Sequence, residues 1–112
     1  MGKKEVEIIV FGAEQICASC VNLPSSKETF EWLEAAISRK FPNQPFTIRY
    51  VDIYRPEGNT EELFYSQKII NEDLFYPLVV IDGAIVGEGN PQLNKIYREM
   101  EKYGYQGSDL KK

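Results

Sequence analysis

The run Val6-Glu7-Ile8-Ile9-Val10-Phe11-Gly12, with Cys17-Ala18-Ser19-Cys20 just after it, decides how this 112-residue chain is read. The first part is rich in β-branched residues and almost continuously apolar, as expected of a central strand covered on both faces. Gly12 ends it, and the connection that follows carries both cysteines of the chain, spaced so that they can act as one dithiol. Val21-Asn22-Leu23-Pro24 reads as more loop, because Pro24 lacks a backbone donor and disrupts helical bonding.

Working outward, Ser25-Ser26-Lys27-Glu28 supplies a helix start in which Ser25 caps and Glu28 returns the bond, and the helix runs to about Lys40. Phe30, Leu33, Ile37 and Phe41 recur on one face with Trp32 and Ala36 beside them, while Lys27, Glu31, Glu34 and Ser38 meet water. Phe46 to Ile53 is β-rich, so strand, helix and strand make a parallel, right-handed βαβ unit. After the loop Arg55-Pro56-Glu57-Gly58, Asn59 and Glu62 offer a cap-like start for a second helix across Leu63, Phe64, Gln67 and Ile70. Leu78 to Ile81 and Ala84 to Gly87 flank Asp82-Gly83, the signature of a tight hairpin. Asn90 as a cap with Pro91 at the first helical position opens a closing helix marked by Leu93, Ile96, Tyr97, Met100 and Tyr103 and ended by Gly104. Residues 1–104 form one domain, and 105–112 are read as a flexible polar C-terminal tail.

The bulk numbers bound the function. A net charge of −4 with scattered basic residues lacks the electrostatic footprint of a nucleic-acid binder, and an acidic membrane surface repels it. The apolar run near the N-terminus is short and broken by Glu7, unlike a signal peptide or membrane span, so a cytoplasmic location is expected. In that reducing compartment two cysteines this close do not staple a fold, which favours reactive or metal-binding roles. The chain has no His, removing a Cys-His catalytic pair and most mononuclear metal sites.

The order β, dithiol loop, α, β, α, β-hairpin, α resembles the thioredoxin-like fold over nearly the whole chain. This is an α/β architecture with a four-stranded mixed sheet (βαβ-α-ββα) and flanking helices. Tyr76-Pro77 immediately before the hairpin strengthens the likeness. In thioredoxin-like proteins a proline at that place is cis and packs beside the dithiol, whereas an X-Pro bond taken at random is cis only about 5–6% of the time. The wording from Cys17 through Leu23-Pro24 and Phe30-Glu31-Trp32-Leu33 to Ile37 is similar to the small YuzD-like proteins, a family described as disulfide-oxidoreductase-like. Three departures from working thioredoxins stand out: no Trp precedes Cys17, no Pro lies between the cysteines, and the capped helix begins after Pro24. A thiolate away from a helix N-terminus loses the help of its dipole and free N–H groups, and Glu14 favours the neutral thiol, so Cys17 is expected to be less acidic than a strong oxidant's cysteine.

Three readings of the pair stand side by side. In the first, Cys17 and Cys20 are catalytic residues of thiol-disulfide exchange with a protein dithiol or disulfide client, needing no cofactor. In the second, they are half of an iron-sulfur or zinc site shared with another chain. In the third, they are ordinary buried thiols of a redox-inactive binding module. In the resemblance's geometry, the backbone of Tyr76 and Leu78 beside Pro77 is where a substrate peptide pairs as an extra strand. Tyr50, Tyr54, Phe64, Tyr65, Phe75 and Tyr76 are expected to be mostly core or half-buried. If Tyr65, Phe75 and Tyr76 instead cluster in the open, they form a protein-docking patch. Gly87-Glu88-Gly89-Asn90 reads as a plain strand-to-helix turn.

Overall fold

The structure, a computed structural model, describes residues 5–13, 26–55, 60–89 and 91–107. Four strands, β1 (Glu7–Gly12), β2 (Thr47–Asp52), β3 (Leu78–Ile81) and β4 (Ala84–Glu88), form one mixed sheet in the order β2-β1-β3-β4. β1 pairs parallel with β2 and antiparallel with β3, which pairs antiparallel with β4. Among the described residues three helices complete it: α1 (Ser26–Lys40), α2 (Thr60–Ile70) and α3 (Leu93–Glu101). This is the expected α/β class with its four-stranded mixed sheet, and the order is consistent with the thioredoxin-like arrangement.

β1 is central and buried on both faces, because successive side chains of a strand point to opposite sides. Val6, Ile8 and Val10 join Leu33 and Ile37 from α1, Phe41 just after it, and Ile96 and Met100 from α3. Ile9, Phe11 and Ala13 face the other way, into a second core with Val51, Ile53, Leu78, Val80 and Ile69 of α2. The hairpin forms as expected: Asp82 and Gly83 both take positive φ (46° and 87°), which suits the right-handed twist of the flanking strands. One extra residue, Val86, is accommodated where the register shifts between Val79 and Val80.

α2 packs differently from its sequence pattern. Leu63, Phe64 and Ile70 are exposed, while Glu62 and Ser66 are buried with Ile69 against the sheet. The reason is an ion network: Arg49 of β2 donates from Nη1 to Glu62 Oε2 at 2.6 Å and from Nε to Glu7 Oε2 at 2.8 Å. Burial by itself would lower the Arg49 pKa, but the bonds to Glu62 and then Glu7 outweigh it and raise it above its ordinary value. A carboxylate this deeply enclosed is tolerated only with such a partner.

Three expectations are corrected. Trp32 lies on the outer side of α1, 48% exposed, rather than beside its apolar face. The N-cap of α3 is Gln92, with no side-chain cap bond, and Pro91 precedes the helix instead of opening it. A Cβ on Gly87 would lie only 3.0 Å from the Pro91 Cβ, so close packing on β4 holds the proline there; Asn90 lies outside the described residues. Finally, the packed structure continues past Gly104 into the supposed tail. Tyr105 is 3% exposed, packs its ring on Phe41, accepts a hydrogen bond from the Val6 N–H and donates one to the Pro45 carbonyl. Gln106 N donates to Gln44 Oε1 at 2.8 Å, and Gln44 Nε2 donates back to the Gln106 carbonyl at 2.9 Å. Residues 108–112 lie outside the described part.

Removing the Tyr105 hydroxyl leaves a buried N–H and a carbonyl without their partner, so Tyr105→Phe is expected to cost about 1–3 kcal/mol in urea unfolding. Burial raises the Tyr105 pKa above 10.0, countered in part by the Val6 N–H and helped by the charges of Glu5 and Asp82. The folded state thus favours the protonated phenol: this contribution is full below the unfolded-chain value of 10.0 and is lost as pH rises through the higher folded value. Urea melts from neutral pH to about pH 11 should show an alkaline decline that is shallower in Tyr105→Phe.

Candidate active site

The β1–α1 connection, residues 14–25, lies outside the described residues, and with it Cys17, Cys20, the Ser25 cap and the expected acidity of Cys17. Its two roots are described. Ala13, at the end of β1, donates its N–H to the Oγ of Ser26, the first residue of α1, at 3.3 Å. Ser26 is buried, and a Cβ on Gly12 would stand well under 3.0 Å from both its Cβ and its Oγ. Gly12 is therefore needed for contact between the end of the strand and the start of the helix, not for an unusual φ.

The neighbouring strands supply the rest of this edge. Ile53, just past β2, donates its N–H to the Gly12 carbonyl at 2.9 Å. On the other flank the pairing of Phe11 with Leu78 sets the start of β3, directly after Pro77, alongside the end of β1. The Tyr76-Pro77 bond is cis, as the resemblance implied. The Pro77 carbonyl accepts from Gly89 N at 3.0 Å, and Phe75 N donates to Glu88 Oε2 at 3.1 Å, tying the loop before β3 to the end of β4.

Of the three residues expected to bind substrate, Tyr76 is open, Pro77 is half-buried and Leu78 is buried. Leu78 pairs with Phe11 on one side and Glu88 on the other, so its backbone lies inside the sheet; this corrects its part in the expected strand pairing. Among the described residues, no hydrogen bond joins the backbone N–H or C=O of Tyr76. The aromatic expectation is also corrected. Tyr54, Phe64, Phe75 and Tyr76 are exposed, while Tyr50 and Tyr65 are half-buried. Tyr65 leaves the suggested open cluster because its ring packs on Phe11 and its hydroxyl donates to the Gly83 carbonyl.

Among the described residues, no group of three or more His, Cys, Asp or Glu could hold a metal ion, and no helix is long and apolar enough to cross a membrane. A groove of 520 Å³ on α2, lined by Leu63, Phe64 and Gln67 among others, has Lys68 and Asp73 as its charged groups. The Gly12–Ser26 contact and the Arg49 network were not read from the sequence. The available signals were a glycine closing an apolar strand and a lone arginine inside a β-rich run.

Comparison with known proteins gives the same picture of kinship without a reaction. The family profile DUF1462, described as a protein of unknown function, matches residues 9–101. A Bacillus subtilis (strain 168) protein named "Putative disulfide oxidoreductase YuzD" is 55% identical over 102 residues, covering 91% of this chain and 94% of that protein. The crystal structure of a Staphylococcus aureus protein of unknown function superposes with a TM-score of 0.76 at 35% identity, covering 89% of this chain and 92% of that one.

Gly12→Ala should separate the roots of the connection and lower stability by about 1–3 kcal/mol through overpacking. Adding Ser26→Gly removes the obstructing atoms, so a double-mutant cycle in urea should show Gly12→Ala costing less in that background.

Proposed function

This chain belongs to the DUF1462 family, and from its likeness to the Bacillus subtilis relative we propose that it is a thiol-disulfide oxidoreductase acting through Cys17 and Cys20. The observation that carries the reading is the position of Ala13 and Ser26. Both ends of the cysteine-bearing connection meet at the end of the sheet where β3 begins with Leu78, just after Tyr76-Pro77. The relative's name supports a redox role, and the roles of the individual residues are our reading.

In the reductive direction, the Cys17 thiolate attacks one sulfur of a client disulfide. That S–S bond breaks, the departing client sulfur leaves as a thiolate and takes up a proton, and Cys17 is left in a mixed disulfide. The Cys20 thiolate then attacks Cys17 Sγ, releasing the second client sulfur, which is protonated in turn, and closing a Cys17–Cys20 bond. The client gains two electrons and two protons and the dithiol loses the same; the reverse sequence oxidises a client dithiol. Tyr76, whose backbone groups have no hydrogen bond among the described residues, pairs with the client chain beside the proline.

Equilibration in thiol-disulfide buffers of graded ratio, followed by alkylation and intact-mass measurement, tests this. The expected result is one reversible two-electron couple, with Cys20→Ser accumulating a mixed disulfide and Cys17→Ser accumulating none. Two thiols that alkylate at every ratio, or a pair that holds iron or zinc at one ion per two chains, would overturn it.

A further inference from the structure

We propose that Tyr54, Phe75 and Tyr76 form a docking rim for an extended polypeptide segment of apolar and neutral-to-basic character, the flank of a client's cysteine. This rests on the thiol-disulfide reading above and names the substrate class of that site.

The three side chains are 57%, 65% and 41% exposed, and their segments follow β2 and precede β3 at the end of the sheet where β1 and β2 finish and β3 starts. Tyr54 follows Ile53, which is bonded to Gly12, and so flanks the root of the connection on the β2 side. Phe75 and Tyr76 flank it on the β3 side, where Leu78 pairs with Phe11. The backbone under Tyr54 and Phe75 is fixed. Tyr54 N donates to Asp52 Oδ1 at 2.9 Å, Phe75 N donates to Glu88 Oε2, and Phe75 lies against Gly89, whose positive φ turns the chain beneath it. Aromatic side chains held on a rigid backbone lose little entropy on binding and make effective anchors for a polypeptide. The Tyr76 backbone, without a hydrogen bond among the described residues, adds a donor and an acceptor of the kind an extended chain satisfies.

Charge selects among disulfide substrates. Asp52, Glu72, Asp73 and Glu88 belong to the segments that make up this end, against two cations among the described residues, Arg55 and, next to Ser26 and over the Tyr50 ring, Lys27. The C-terminal, negative end of the α2 dipole leads into the same loop. A low-molecular-weight thiol bearing carboxylates requires cationic donors to hold them and meets an acidic edge here instead. A peptide with apolar and basic residues around its cysteine meets both features.

The test uses the reduced full chain and four disulfides: a short peptide disulfide with aromatic and Lys flanks, its twin with Glu in place of Lys, oxidised glutathione, and uncharged 2-hydroxyethyl disulfide. The basic peptide should oxidise the dithiol roughly tenfold faster than its acidic twin at low salt, the gap closing as salt is raised. Oxidised glutathione should be slower still. In the Tyr54→Ala/Phe75→Ala variant, the rate with the basic peptide relative to 2-hydroxyethyl disulfide should fall about tenfold. Equal rates for the two peptides, or an unchanged ratio in the variant, would overturn the rim. The peptide comparison needs no variant, so a folding defect cannot hide the answer. If no disulfide oxidises the chain, the redox reading fails. The rim is then judged by binding of the Cys→Ser basic peptide, which should weaken at least about fivefold in the variant if the rim stands and remain equal if it does not.

Discussion

The burial of β1 on both faces is the constraint on which the rest of this structure depends. A strand with Val6, Ile8 and Val10 on one side and Ile9, Phe11 and Ala13 on the other cannot sit at an edge or face water. It needs a neighbour on each flank and a helical layer on each face, and β2, β3, α1, α3 and α2 meet those four requirements. Removing apolar area from water is worth about 25 cal/mol per Å², so misplacing this one strand would forfeit both cores together.

The candidate site follows from that central position. Because β2 runs parallel to β1 and β3 antiparallel, the ends of β1 and β2 and the start of β3 fall on one edge. Gly12 lets α1 begin against the strand end, and Ser26 closes the contact by accepting the Ala13 N–H. The connection between them is thus rooted at a single point of the sheet. On the other flank, the loop before β3 is secured by Glu88 and Gly89, which holds the cis peptide bond and its neighbouring aromatic side chains in a defined place.

The two sheet faces are finished by different physics. The face under α1 and α3 is almost wholly apolar and is closed at its far end by Tyr105, whose hydroxyl joins the backbone at Val6 and Pro45. The face under α2 includes an ionic network, Glu7–Arg49–Glu62, and that network turns Leu63 and Phe64 outward. A helix read by apolar spacing alone is assigned the wrong inner face when a buried carboxylate already has a guanidinium waiting for it.

Much of the architecture was legible in the chain because the signals were local and periodic. The apolar run of β1, the 26–40 helix with Lys27, Glu31, Glu34 and Ser38 outside, the Asp82-Gly83 turn and the element order each rest on neighbours in sequence. The cis isomer of Tyr76-Pro77 was reached by resemblance, since the local preference of an X-Pro bond points the other way. Tyr105, read as part of a loose tail, became core because Val6 and Pro45, distant in sequence, present a donor and an acceptor to one phenol. Tyr54, Phe75 and Tyr76, expected to be mostly core or half-buried, proved to be surface, while Phe11, Leu78 and Ile53 from the same segments occupy the second core. The sequence by itself determined the elements, their order and the presence of one dithiol, because periodicity and spacing are properties of neighbours along the chain. Only the tertiary structure decided which side of α2 is buried, where the connection is rooted and which aromatic groups surround it, because those depend on which distant groups compete for the same space.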